Sequence, residues 1–279
     1  MFKKTIFLSI ALCLLALCIS CGEASTSKTE GEGMNKFAND KEFKEAHEEP
    51  TKLEYEEKGQ WISFATEDGQ EGKAYALKTE AASDKYLFVI HEWWGLNDNV
   101  KREAERYFEE LSGTNVLALD LYDGNVADNR EDASKYMQAV KEERANAIIK
   151  GALAHAGENA KVATVGWCFG GGWSLRSSIL AENQGVGCVI YYGAPVEKAD
   201  QLVPLKADVL GIFAEKDGWI TPKVVSDFEA LAKATGKSVK VHQFDADHAF
   251  ANPSSPRYNE AAATAANQLT LAFLQDHLK

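Results

Sequence analysis

Cysteine is scarce in this chain, five residues in 279; the CxxC spacing of Cys18 and Cys21 falls at the end of an apolar run, with no second pair or histidine cluster at zinc-ligand spacing. That excludes a disulfide scaffold and a sequence-encoded structural metal site. Positive charge is also in deficit, 30 Lys and Arg against 42 Asp and Glu, for a formal net charge of −12. With no local basic stripe to offset this balance, nucleic acid is not an expected partner. There is no internal repeat and no long low-complexity tract, and the 45% hydrophobic and 26% charged composition is that of a globular protein.

The first twenty residues differ from the rest. Lys3 and Lys4 precede an apolar run from Ile6 to Ile19, interrupted only by Ser9. The run is short for a ~30 Å hydrocarbon core, and a basic start before a short apolar stretch has the form of a secretory signal. It ends in Leu17-Cys18-Ile19-Ser20-Cys21-Gly22, which resembles the lipobox of bacterial lipoproteins but has Cys18 where that pattern has an aliphatic residue. The resemblance implies lipidation of Cys21 and a chain exported to the cell envelope on a membrane anchor. Residues 21–58 then read as an acidic tether, partly disordered, its first part flexible and its later part, 39–57, expected to form a short helix lying on the domain. From Gly22 to Gln60 there are eleven acids and six bases. The 219 residues after Gln60 suit one α/β domain, whose start is drawn at 59, giving 59–279.

Within that domain, β-branched and aromatic runs alternate with amphipathic ones. Strands are predicted at 85–91 (KYLFVIH), 115–121, 161–165, 186–192, 208–213 and 238–244. Helices are predicted from Asn97 as cap, over 130–156, after 168 and over 260–278. Repeated βα units imply a mainly parallel sheet with helices on both faces, and a site beyond the carboxyl ends of the strands.

Three strand exits carry candidate chemistry. Gly166-Trp167-Cys168-Phe169-Gly170-Gly171, between a strand and a helix, has the nucleophile-elbow pattern with Cys in place of Ser. A helix N-terminus there favours the thiolate. Among six histidines, His248 is best placed as the base, in the polar turn that follows 238–244. His242 lies within that strand, His155 and His277 lie on helices, and His47 falls in the tether. Asp217 follows the strand 208–213 and can orient the base, with Asp245, Asp247 and Glu215 as rivals. The order Cys168, Asp217, His248 is that of α/β-hydrolases.

GWCFGG, AEKDGW and DADHAFANP, together with His91-Glu92-Trp93-Trp94-Gly95, resemble the dienelactone hydrolase family of α/β-hydrolases from about residue 60 to the end. The resemblance implies an α/β-hydrolase fold and a Cys168, His248, Asp217 triad. It further implies that Glu92 helps deprotonate the thiol and that the N–H groups of Trp93 and Phe169 form an oxyanion hole. One position departs from the pattern. Members acting on dienelactone carry an Arg four residues after the His, to pair with the substrate carboxylate, and here that residue is Asn252. Losing such a pair forfeits ~1.5–3 kcal/mol, although Arg257 or Arg130 could supply a cation from another loop. His91, Trp94, Trp167, Trp219, Asn252 and Arg257 are the expected pocket residues, and the aromatics suit an apolar acyl or aromatic ester. The expected reaction is two-step hydrolysis of an ester or lactone through a thioester, with no metal or organic cofactor. The competing expectation is a non-catalytic lipoprotein that binds a ligand or envelope partner in the same crevice.

Overall fold

The computed structural model describes residues 1–2 and 33–279. The expected signal run, Cys21 and residues 22–32 of the expected tether lie outside the described residues. Gly31–Lys279 forms one compact unit, which carries the fold. Among the described residues no helix is long and apolar enough to cross a membrane.

Eight strands form one sheet: β1 (Gln60–Ala65), β2 (Glu71–Leu77), β3 (Lys85–Ile90), β4 (Asn115–Leu119), β5 (Lys161–Trp167), β6 (Gly185–Tyr191), β7 (Asp208–Ala214) and β8 (Val239–Phe244). Their order is β1-β2-β4-β3-β5-β6-β7-β8. The two pairs made by β2 are antiparallel and all the others are parallel. This is the α/β-hydrolase architecture. The helices are α1 (Lys41–Glu45), α2 (Asp98–Glu110), α3 (Arg130–Ala139), α4 (Glu142–Ala156), α5 (Phe169–Ala181), α6 (Ala199–Leu202), α7 (Pro222–Ala234) and α8 (Glu260–His277).

Strand periodicity sets which helix covers which face. On β5, Thr164 bonds Ser174 of α5, whereas Trp167, three residues on, stacks near Tyr107 of α2 and Tyr191 of β6. The Tyr191 hydroxyl in turn meets Thr270 of α8. Odd separation along a strand means opposite faces, so α5 covers one side and α2 with α8 the other. Asn97 and Asn259 cap α2 and α8 by accepting from the N–H three residues on.

Two expectations change. The single helix predicted over 130–156 is two, because the chain turns extended at Val140 and Lys141 before α4 begins. Packing on the domain begins at residue 33, ahead of the helix expected within 39–57: Met34, Ala38, Phe43 and His47 are buried. The helix in this segment, α1, has one turn, capped by Asp40, which accepts from the N–H of Phe43. Burying four residues, one of them a phenylalanine worth ~1.5–3 kcal/mol, outweighs the acidic composition that suggested disorder.

Candidate active site

Cys168 sits between β5 and α5 at φ 53° and ψ −116°. A non-glycine residue held there costs of order 1–3 kcal/mol, and two neighbouring glycines make room for it. A Cβ on Gly166 would lie 2.1 Å from the Gly170 carbonyl oxygen, and one on Gly170 would lie 2.3 Å from that of Ile90. The elbow is thereby pressed against the exit of β3, where Glu92 and Trp93 follow. The Cys168 N–H donates to the Tyr191 carbonyl at 3.0 Å, which ties the turn to the exit of β6.

His248 and Asp217 come from the ends of β8 and β7. The carbonyl of Phe244 accepts from Glu215 N–H at 2.9 Å and that of Ala246 from Lys216 N–H at 3.1 Å, so the two exits are joined by main chain. His248 Nδ1–H donates to Asp217 Oδ2 at 2.6 Å, with both side chains fully buried. Asp217 Oδ1 accepts from the N–H groups of Trp219 and Ile220 at 2.8 and 2.9 Å. Burial pushes the Asp217 carboxyl up, but His248 and these N–H donors outweigh it and hold it below the ordinary value. Burial likewise pulls His248 down, yet Asp217 and Cys168 raise it to about 10. The rivals Asp245 and Glu215 are surface residues, and Asp245 pairs with Lys216.

Around Cys168, burial pushes the thiol up, opposed by His248, and the Phe169 N–H lies against Sγ. Burial also lifts Glu92 to about 7, opposed by His248 and by Asn252. The Asn252 amide donates to Glu92 Oε2 at 2.5 Å. A neutral thiol beside a carboxyl that titrates near pH 7 and an imidazolium can form a thiolate by one proton transfer.

The sequence places His47 in the tether, but the structure brings it to the site. Its Nδ1–H donates to the Phe43 carbonyl at 2.7 Å, and its ring stands 5.4 Å from that of His248 and 4.9 Å from that of Trp93. Burial lowers His47 to about 3, with His248 adding to the effect. A ring nitrogen of His47, Cys168 Sγ and a ring nitrogen of His248 all lie within 4.8 Å of one another. Phe43 packs edge-on to Trp93 and Trp219 at 5.2 and 5.3 Å. Tyr192, at φ 36° after β6, lays its ring 5.1 Å from His248. No catalytic spacing marks these three; the available signal is Phe43 and His47 four apart, on one face of a turn.

The cavity at Cys168 measures about 10 Å³ and is lined by Glu92, Trp93, Trp94, Asn252 and, from the N-terminal segment, His47 and Glu48, among others. Trp94 and Asn252 therefore line it as expected, whereas His91, Trp167, Trp219 and Arg257 do not. His91 is spent on structure: Nδ1–H donates to the Glu92 carbonyl at 2.6 Å and Nε2 accepts from Leu121 N–H at 3.2 Å. Trp167 faces α2. Trp219 lies over His248, and Arg257 stacks on Trp219 and reaches the His248 carbonyl. Arg130 bonds the His47 carbonyl at 2.6 Å, so neither arginine stands in for the missing one. A larger cavity of about 980 Å³ lies beside residues 49–53 and β1, but neither Cys168 nor His248 lines it.

The profile of the dienelactone hydrolase family matches residues 73–278. The chain belongs to that family. It is 30% identical to protein usf of Aquifex pyrophilus over 233 residues, covering 79% of this chain and 99% of that protein. It is 27% identical to carboxymethylenebutenolidase 1 of Cupriavidus pinatubonensis over 227 residues, covering 76% and 95%. Among solved structures, a dienelactone hydrolase-like promiscuous phosphotriesterase from metagenomic libraries superposes with a TM-score of 0.68 at 20% identity, covering 79% of this chain and 99% of that one. The last likeness concerns the fold.

Proposed function

We propose that this family member hydrolyses a carboxylic ester or lactone, with Cys168 as nucleophile, His248 as proton carrier and Asp217 as its orienting group. The observation that carries the reading is the buried 2.6 Å bond from His248 Nδ1 to Asp217 Oδ2, beside a thiol lifted on a strained elbow. Glu92 accepts the thiol proton, and the thiolate attacks the carbonyl carbon. The N–H groups of Trp93 and Phe169 receive the oxyanion. His248 gives its Nε2 proton to the leaving alkoxide, and then takes one from the water that cleaves the thioester. Asn252 holds Glu92 through its amide, so a neutral ester suits the site better than an anionic lactone. A volume of about 10 Å³ holds about one water, so the segment carrying His47 and Glu48 must move aside for any ester to reach the thiol. The apolar run before Cys21 supports export on a lipid anchor, which palmitate labelling lost in Cys21→Ala would test. For the reaction, the full chain and Cys168→Ala are assayed on a panel of esters, lactones and thioesters. Turnover by the wild type alone is expected, and equal turnover by both overturns the reading.

A further inference from the structure

The three groups that meet at the closed site, His47, Cys168 and His248, form a donor set in their own right. Both histidines use Nδ1, His47 as donor to a backbone carbonyl and His248 as donor to a carboxylate. In each ring the nitrogen left over is Nε2, and in both it is buried and has no hydrogen-bond partner of normal geometry. An unpartnered buried polar atom ordinarily costs 1–3 kcal/mol, and two of them facing a thiol point to something that would bind there. An imidazole whose Nδ1–H is held by a carbonyl or carboxylate, leaving Nε2 outward, is the usual arrangement of a metal-ligating histidine. Donor atoms within 4.8 Å of one another need contract by at most about 1.5 Å to reach the ~3.3–3.5 Å separations set by Zn–N bonds near 2.0 Å and a Zn–S bond near 2.3 Å.

We propose that His47, Cys168 and His248 bind one thiophilic divalent cation, with Zn²⁺ as the fitting representative, and that this ion holds the N-terminal segment closed over the thiol. Two imidazoles and a thiolate make a borderline-soft set that excludes Mg²⁺ and Ca²⁺, whose ligands are oxygens. A fourth position stays open for water on the Glu92 side. Coordination expels the Cys168 thiol proton, and the Nε2 proton of His248 where present, to the buffer, so affinity rises with pH. His47 lies ahead of the region that matches the family, residues 73–278, and Cys168 and His248 lie within it, so the trio joins the N-terminal segment to the body of the fold. Ion and ester compete for the same sulfur. That inhibitory consequence rests on the proposed acyl transfer, while the binding itself does not.

The test uses the full chain, stripped with chelator and titrated with ZnCl₂ by calorimetry and with Co²⁺ by absorption. One high-affinity ion per chain, a thiolate-to-cobalt charge-transfer band and protection of Cys168 from iodoacetamide by Zn²⁺ are expected. His47→Ala and Cys168→Ser should each weaken Zn²⁺ by more than the ~10–100-fold that loss of an outer partner brings. A wild type with no cobalt–thiolate band overturns the site whatever the variants do. So does a folded His47→Ala or Cys168→Ser that binds Zn²⁺ as tightly as wild type. Ester turnover by the metal-free chain is scored separately: turnover without Zn²⁺ binding removes only this site, and binding without turnover removes only the hydrolase reading.

Discussion

At the carboxyl edge of the sheet, Cys168, Asp217 and His248 are placed by main chain: the elbow is hydrogen-bonded to the exit of β6, and the exits of β7 and β8 are bonded to each other. Residues 33–58, which cover that edge, are held differently. Their backbone hydrogen bonds are local, as from Lys44 to Asp40 and from His47 to Lys44. Their ties to the body run through side chains: Lys36 to Glu197, Ser134 to the Ala38 carbonyl and Arg130 to the His47 carbonyl. Of these three, only the Lys36–Glu197 pair is exposed, where an ion pair is worth about 0–1 kcal/mol; the Ser134 bond is buried and the Arg130 bond partly so, and together with the ring contacts of Phe43 they hold the cover. A segment held by a few side chains opens locally at a cost well below global unfolding. The site is therefore rigid beneath a removable cover.

That contrast can be broken at several points. Asp217→Asn leaves the shape but takes away the charge that fixes the His248 tautomer, and kcat should fall about 10³- to 10⁴-fold, read by steady-state turnover of an activated ester. Retained activity would mean that the edge is not catalytic. Glu92→Gln should lower kcat/KM by about 10²- to 10³-fold. Because Glu92 titrates near 7, wild-type kcat/KM should climb through that pH as the carboxylate forms, and the variant should lose the inflection. Phe43→Ala removes the main anchor of the cover, at about 3 kcal/mol. Iodoacetamide should then reach Cys168 roughly a hundredfold faster, with a much smaller change in the main thermal transition; equal labelling would show that the cover does not gate the thiol.

The smallest effect is the dependence of stability on pH, in which the two buried histidines act oppositely. His47 has a folded pKa of about 3, below its unfolded value near 6.5. Its burial therefore stabilises fully above pH 6.5, and that contribution shrinks as pH falls toward 3. His248 has a folded pKa of about 10. Its pairing stabilises fully below pH 6.5 and is lost as pH rises toward 10. Glu92, lifted by burial to about 7, loses stabilisation as pH rises from its unfolded value near 4.5 to 7, so metal-free protein should have a broad stability optimum between about pH 4.5 and 6.5. Hydrogen exchange should show residues 33–58 opening first on the acid side, and His47→Phe should flatten that acid limb.

The body of the fold was legible in the sequence because its strands are buried on both faces and read as short continuous apolar runs, as in KYLFVI and DVLGIFA. The strands β1 and β2, at one end of the sheet, were not, since exposed positions interrupt them and the same patterns also suit loops. Cys168 and Asp217 could be found because each follows such a strand and the elbow needs its glycines, and His248 because it follows the β-branched alternation of the edge strand β8. His47 could not. Its neighbours are acidic and its proximity to Cys168 depends on a long-range contact of Phe43 with Trp93 and Trp219 that no local pattern encodes. Asn252 was found as a departure from the family and Glu92 through the family resemblance, but the bond between them emerged only from the fold.

The nucleophile is best tested by trapping the acyl group. Full-length chain mixed with an activated ester, quenched in acid during turnover and digested, is examined by mass spectrometry. One acyl group as a thioester on the peptide carrying Cys168 is predicted, accumulating further in His248→Ala as water attack slows. Turnover that proceeds with Cys168 unmodified, or an acyl group on another residue, would contradict the account.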